Sequence, residues 1–335
     1  MIKNSQFYVK DLKNIVLFGH QNTFDEMVKF NNTLNIKTLI ITSPDQKKNF
    51  KKTTDINSFH KLDEKFKKFL KKKINLKETL FASIGSRWIF SKSDIKNFFH
   101  NNLVNFHGTR LPYDKGGAFI SWQILKNDRI ENQMVHLLDE GIDTGPILMN
   151  DNSIYPSYCK IPKDYQNYYN LRQLEFYKKF IKKVKNNEKF DLKKQIDYIG
   201  NYNPRLSTNT SGWINWNFSS ENLYRFINAF DDPYEGAMTY LNDEKVRIKS
   251  VHLHGGEIGG HPFSTGIISR HDKKWVVVST IDQNMLLIEK IINQKNQNII
   301  NKIRTGDRLY TPLKNLDSSI SKKIKFTAMG LEKNA

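Results

Sequence analysis

Apolar residues in the first third of the chain come in short unbroken runs. Asn14 to Gly19 reads NIVLFG, Ile36 to Thr42 reads IKTLIIT, Leu80 to Ile84 reads LFASI and Leu103 to Phe106 reads LVNF. Runs of this kind predict strands buried on both faces. Between them, Phe24 to Phe30, Phe59 to Leu70 and Lys92 to Phe99 have helical character, the last opened by Ser91 or Ser93 as cap. Strand alternating with helix predicts an open, largely parallel α/β sheet covered on both faces. Further on, Phe119 to Lys126 reads as a helix, Gln133 to Leu138 as a strand, and Leu171 to Lys185 as an amphipathic helix. Tyr198 to Ser211, with Pro204 and several Asn, Ser and Thr residues, has the composition of a linker. Past it come a helix from Ser220 to Phe230, capped by Ser219 or Ser220, and short strands at Ala237–Leu241, Lys245–Val251, Thr265–Ser269, Trp275–Ser279 and Met285–Ile292. That pattern predicts a small β-barrel or sandwich. The division expected is therefore 1–205 and 206–335.

Composition narrows the class. At 335 residues and 38% hydrophobic, the chain has material for a substantial core. No apolar run reaches the roughly 18 residues of a membrane helix, and Met1 to Lys13 has no signal-peptide core, so a cytoplasmic protein without membrane contact is expected. Cys159 is the only cysteine, which excludes an intramolecular disulfide and a multi-cysteine zinc site. Its surroundings, SYCKIP, carry no nucleophile signature, and an inert thiol is expected. The formal charge of +19 raises the question of a polyanion partner. Lys far outnumbers Arg, however, and the runs at Lys47–Lys52, Lys67–Lys73 and Lys178–Lys185 interleave bases with apolar residues. Such spacing suits helices that bury one face and solvate the other, with an RNA surface as the alternative.

Two stretches carry candidate chemistry. In VNFHGTRLPYDKGGAFISW, Val104 to Trp122, strand alternation puts Asn105 and His107 on one side and Phe106 on the other. They stand at the carboxyl end of a parallel strand, the edge where open α/β sheets bind ligands. Asn offers amide donors for an oxyanion, and His a proton carrier that titrates at about 6.5 when unperturbed. Gly108 allows an abrupt exit, and Leu111-Pro112 restricts the loop that follows. In DEGIDTGP, Asp139 and Asp143 lie in a Gly-punctuated turn after a strand. A carboxylate there would orient His107 and favour its charged form. Taken singly, each stretch also reads as ordinary local hydrogen bonding or an acidic turn.

Together the two stretches resemble the formyltransferase family that uses 10-formyltetrahydrofolate, which includes methionyl-tRNA formyltransferase, glycinamide ribonucleotide transformylase and the sugar-nucleotide N-formyltransferases. The matching residues are Asn105-Phe106-His107, Leu111-Pro112, Gly116-Gly117 and Gly141-Ile142-Asp143-Thr144-Gly145, with Asp143 placed 36 residues after His107 as in the family. Tyr202 to Trp216 and Ala229 to Ala237 also look like the junction and start of the family's C-terminal domain. The resemblance implies a Rossmann-like catalytic domain followed by a small OB-like β domain, 10-formyltetrahydrofolate as formyl donor, and no metal. It implies attack of a substrate amine on the formyl carbon through a tetrahedral intermediate. Asn105 and protonated His107 would stabilise the oxyanion, and Asp143 would hold His107 charged and relay protons. By position, the pterin falls to Arg87, Trp88 and Ile89 in GSRWIF, with Asp139, Glu140 and Gly141 facing them. Arg87-Trp88 departs from the family's common apolar pair, and core packing is the competing reading of Trp88.

The acceptor is less constrained. Methionyl-tRNA formyltransferases carry a basic insertion after the second strand, echoed here by SPDQKKNFKKTTD, and an Arg-rich loop after Leu-Pro. In this chain Tyr113-Asp114-Lys115-Gly116 replaces that loop, and the wording around it looks more like the sugar-modifying branch. A nucleotide-linked amino sugar, used in surface polysaccharide synthesis, is therefore the expected acceptor, met by Tyr113 and Lys115; charged tRNA is the alternative. A catalytically silent, polyanion-binding relative is a reading of another class, which the intact Asn105, His107 and Asp143 set opposes. A homodimer is compatible with the family. His252, His254 and His261 are taken as loop histidines.

Overall fold

The computed structural model describes residues 6–47, 49–50, 56–255, 260–324, 326–327 and 330–331. Its larger sheet has seven strands: β1 (Asn14–Gly19), β2 (Lys37–Thr42), β3 (Ile56–Ser58), β4 (Thr79–Ile84), β5 (Leu103–His107), β6 (Ile130–Leu137) and β7 (Ile147–Ile154). Their order is β3-β2-β1-β4-β5-β6-β7. The first five are parallel, and β6 and β7 are added antiparallel. The winding reverses between β1 and β4, which opens a crevice at the carboxyl ends of those strands.

Both faces of the sheet are covered by helices. Helices α1 (Phe24–Thr33) and α4 (Pro162–Lys185) share one core with it, in which Met27, Tyr177 and Phe180 meet Leu17 and Val104. On the other face α2 (Glu64–Lys73) and the turn at Asp94–Phe98 set Phe66, Leu70 and Phe98 against Phe18 and Phe81. The lysine runs of α2 and α4 flank buried Phe66, Leu70, Phe180, Ile181 and Val184, so these two runs belong to amphipathic helices. The run from Lys47 to Lys52 falls partly outside the described residues.

Several elements differ from the sequence pattern, and two helix starts and one strand do so for a plain local reason. The helix expected from Phe59 starts at Glu64, because Asp63 Oδ1 caps it by accepting the N–H groups of Lys65 (3.1 Å) and Phe66 (3.2 Å). Helix α4 starts at Pro162 rather than Leu171, with the Asp164 carboxylate accepting from Lys160 N at 3.1 Å and Ile161 N at 3.3 Å. Strand β7 has no apolar signature, because it is an edge strand whose alternate residues face solvent.

The C-terminal part carries α5 (Ser220–Ala229), opened by Ser219 Oγ accepting from Asn222 N at 3.3 Å. Its six strands are β8 (Ala237–Leu241), β9 (Glu244–His254), β10 (Ile268–His271), β11 (Val276–Ser279), β12 (Met285–Ile292) and β13 (Leu309–Tyr310), antiparallel in the order β10-β11-β12-β9-β8-β13. The sheet curls until its edges meet: Leu309 N donates to Gly266 O and Ile268 N to Asp307 O, each at 2.8 Å.

The two parts share a core. Ile120 and Ile124 of helix α3 (Phe119–Lys126) pack with Leu223 and Ile227 of α5, and Ser121 Oγ donates to Ala229 O at 2.9 Å. Cys159 is buried in this core, where burial pushes its thiol up. The stretch expected as a plain linker is tied down as well. Asn201–Asn203 pairs in parallel with Asp114–Gly116, and Lys126 Nζ bridges Asp114 Oδ1 (2.6 Å) and Asn203 Oδ1 (3.0 Å). Among the described residues no helix is long and apolar enough to cross a membrane.

Candidate active site

The pleat of β5 divides its side chains by task. Phe106 points into the core, its ring centroid 5.5 Å from Tyr177 and 5.6 Å from Phe180. Asn105 and His107 therefore face the other way, at the carboxyl edge of the sheet. Gly108 then lets two rings close on the backbone: a Cβ there would lie 2.7 Å from the Phe119 ring and 2.9 Å from that of Tyr169.

The acidic turn is fixed mostly by its own atoms. Asp139 Oδ1 accepts from Gly141 N (3.1 Å) and Thr144 Oγ1 (2.6 Å). Buried Gln195 donates to the carbonyls of Asp143 (3.0 Å) and Gly145 (2.6 Å). A Cβ on Gly145 would collide with the Leu137 carbonyl, so the turn closes on β6 only with glycine at that position. Asp143 adopts the left-handed region, with φ of 55°.

This turn delivers the Asp143 carboxylate to His107. Asp143 Oδ2 lies 3.7 Å from His107 Nε2 and accepts the Gly116 N–H at 3.0 Å. Nε2 of His107 is buried and has no hydrogen-bond partner among the described residues. Burial by itself pushes the Asp143 carboxyl up; the rings of His107 and His136, the Gly116 N–H and Lys115 outweigh it and hold the group below its ordinary value.

The pattern of the sequence gave no reason to single out His136. It stands directly across from Asn105 in the β5–β6 pairing, fully buried. Its Nδ1 lies 2.8 Å from Leu137 O and its Nε2 3.2 Å from Asn105 Nδ2 and 3.8 Å from Asp143 Oδ1. A proton on Nδ1 serves the carbonyl, which leaves Nε2 to accept from the Asn105 amide. Burial, reinforced by neighbouring His107, lowers the His136 pKa to about 4, so the ring is neutral near pH 7. A histidine in the strand leading to the Gly-Ile-Asp-Thr-Gly turn was the available signal, but its partner became visible only with strand pairing.

Asn105, His107, Gly116 and Asp143 line a cleft of about 750 Å³ at the β1/β4 crevice, with His136 buried behind it. Arg87, Trp88 and Ile89 line it too. Arg87 is ion-paired to Asp45, and Ile89 is 86% exposed. Trp88 serves both of its readings, since its ring packs edge-on against Phe18 at 6.1 Å while lining the cleft. Asp139 and Gly141 are in the lining, whereas Glu140 is not and pairs with Lys92 at 3.0 Å. Tyr113 and Lys115 also lie outside the lining; Tyr113 is half exposed, and Lys115 pairs through its backbone with Tyr202. Arg205, which the sequence pattern did not single out, lines the cleft, and burial together with Arg87 lowers its pKa.

Of the three histidines expected in loops, His252 and His254 lie in strand β9 and His261 outside a strand, and each has its own partner. His252 faces Glu289 at 3.3 Å, His254 meets Arg270 at 2.8 Å, and His261 accepts from Phe263 N at 3.1 Å. No group of three or more His, Cys, Asp or Glu able to hold a metal occurs among the described residues.

Comparison with known proteins adds three findings. Residues 207–306 match the family model of the formyl transferase C-terminal domain. The methionyl-tRNA formyltransferase of Clostridium perfringens (strain SM101) is 27% identical over 188 residues, 56% of this chain and 58% of that protein. The chain thus matches over less than two thirds of the length of that relative. Among solved structures, the sugar 3N-formyl transferase WlaRD, determined with dTDP and 5-N-formyl-THF, aligns at 20% identity, 84% of this chain, 98% of its own and a TM-score of 0.63. An N-formyltransferase from Helicobacter canadensis, complexed with folinic acid and dTDP-3-aminofucose, aligns at 19% identity, 83% of this chain, 99% of its own and a TM-score of 0.63. At these identities the structural likeness speaks for the fold. The C-terminal family match, this sequence relative and these structural neighbours all carry formyltransferase names, the family match covering residues 207–306.

Proposed function

We propose that this protein transfers a formyl group from 10-formyltetrahydrofolate to a primary amine, and that the amine belongs to a nucleotide-linked amino sugar. The observation that carries the reading is the convergence of Asn105, His107 and Asp143 at the carboxyl edge, with His107 Nε2 buried and lacking a partner. A buried nitrogen left unpaired is costly unless a ligand satisfies it. The cleft, at about 750 Å³, is within the range usual for small-molecule sites.

The formyl folate supplies an activated one-carbon group; the chain supplies position, charge and a proton path. Arg87, Trp88 and Ile89 flank the donor together with the backbone of the Asp139–Gly141 turn. The acceptor amine attacks the formyl carbon, and the carbonyl π pair moves onto oxygen. Asn105 Nδ2–H and the His107 imidazolium meet that charge. Asp143, anionic and braced by the Gly116 N–H, stabilises the charged ring. As the carbonyl re-forms and the bond to the folate nitrogen breaks, the proton lost by the amine reaches that nitrogen through the His107–Asp143 pair.

A second acceptor, charged initiator tRNA, is favoured by the sequence relatives, which include methionyl-tRNA formyltransferases. Against it stands the loop after Leu111-Pro112, where Asp114, engaged by Lys126 and Asn203, takes a place at which a phosphate backbone would need a base. The test is to incubate protein and 10-formyltetrahydrofolate with amino-sugar nucleotides or with charged initiator tRNA and follow tetrahydrofolate by absorbance. Release with an amino sugar is expected. Release with tRNA alone reverses the choice of acceptor, and salt-dependent RNA affinity without folate binding overturns formyl transfer.

A further inference from the structure

We infer that the cleft wall formed by Gln21, after β1, and by Tyr169 and Gln173 of α4 is an uncharged subsite that reads hydroxyl groups on the ring bearing the acceptor amine. This assignment rests on the formyl-transfer reading and deepens it. All three side chains line the cleft, and they form one directed chain. Gln21 Nε2 donates to Gln173 Oε1 at 2.6 Å, and Gln173 Nε2 donates to the Tyr169 hydroxyl oxygen at 2.7 Å. Tyr169 therefore receives a hydrogen bond, and its own O–H hydrogen is left to point elsewhere.

Position and chemistry both tie this wall to the acceptor. The Tyr169 ring closes on Gly108, the residue after His107, beside Phe119 at a centroid distance of 5.1 Å. The subsite is thus adjacent to the reacting centre and has an aromatic flank on which the C–H face of a sugar ring can rest. Gln173 and Tyr169 are 1% and 3% exposed, so their geometry is set before a ligand arrives. Burial pushes the Tyr169 phenol up, which keeps it a neutral donor. The cations of the cleft, Arg87, Arg205 and Lys323, come from other segments. Fixed, neutral hydrogen-bonding groups discriminate strongly against a ligand that cannot match them, because they are then left buried and unpaired. A thioether side chain such as that of methionine offers this wall only one weak acceptor, whereas a hydroxylated ring offers several donors and acceptors.

The experiment is steady-state kinetics of the full chain with a panel of amino-sugar nucleotides that includes dTDP-3-aminofucose, and with charged initiator tRNA. Tyr169→Phe, Gln21→Ala and Gln173→Leu are compared with wild type, and affinity for 5-formyltetrahydrofolate is measured by fluorescence titration. The expected result is a fall of about tenfold in kcat/KM for the sugar, carried by its KM, with folate affinity unchanged. Tyr169→Phe removes one oxygen and Gln21 is only partly buried, so these two decide the matter even if Gln173→Leu fails to fold. Unchanged sugar KM in both, or an equal loss of folate affinity, overturns the assignment while formyl transfer stands. Wild-type turnover with tRNA and no amino sugar overturns it as well. If no amine releases tetrahydrofolate, formyl transfer itself fails, and the subsite with it.

Discussion

His136 holds the Asn105 side chain across the antiparallel pair of β5 and β6, with Nε2 3.2 Å from Asn105 Nδ2 and Nδ1 2.8 Å from Leu137 O. The main-chain carbonyl fixes the tautomer, and the tautomer fixes which end of the Asn105 amide faces the ring. The second hydrogen of the Asn105 amide is not used by this contact, and in the proposed mechanism it meets the oxyanion.

Removing that acceptor should mis-set Asn105 without touching the donor site. His136→Leu is expected to lower kcat by about tenfold or more, with the KM for formyl folate near wild type. His136→Gln keeps an acceptor at similar reach and should recover most of the loss. Equal activity of the two variants would show that His136 only fills space.

Asn105 itself carries a larger effect. Loss of one oxyanion donor typically costs about 10² to 10³ in turnover, so Asn105→Ala should be nearly inactive while melting close to wild type. Paired activity and thermal-unfolding measurements test this, and wild-type turnover by the variant removes Asn105 from the mechanism.

The buried imidazole also sets a pH dependence of stability. The His136 pKa is lowered to about 4 in the folded chain, below the unfolded value of about 6.5. In that interval the unfolded state binds more protons, so the stability from neutral His136 is complete above the unfolded pKa and is lost as pH falls through the folded one. Between about pH 7 and pH 5 the loss should be about 2 kcal/mol. Urea unfolding at the two pH values should show it in wild type, and the share due to His136 should vanish in His136→Gln. An identical pH difference in both proteins assigns the effect to other groups.

The acidic turn has its own weak point. Gly145→Ala would drive a methyl group into the Leu137 carbonyl and displace Asp143 from His107. We expect a destabilisation of about 1 to 3 kcal/mol and a loss of turnover larger than stability alone explains. Wild-type turnover with unchanged unfolding would mean that the turn has room the structure does not show.

How much of this was legible depended on whether the signal was local. Helix α3 and strands β8 and β12 begin and end where the hydrophobic pattern put them, because propensity, pattern and burial agree there. The sidedness of Asn105, Phe106 and His107 follows from strand geometry and was readable in the same way. Helix α2 was misplaced because the Asp63 cap overruled an apolar pattern that begins earlier. Strand β7 was missed because it is an edge strand whose alternate residues face solvent, and the ribbon at Asn201–Asn203 because its partner, Asp114–Gly116, is distant in sequence.

The sequence by itself determined the residue types and spacing of Asn105, His107 and Asp143, the alternation that makes an open α/β sheet, and the β-rich second half. All of these are encoded within short windows or in a fixed separation along the chain. Only the tertiary structure decided that His136 faces Asn105, that His107 Nε2 is left unpaired, that Asp114 is taken up by Lys126 and Asn203, and that Gln21 meets Gln173. The physical reason is that each depends on the register and packing of segments far apart in sequence, and a side chain's partner is chosen by that packing.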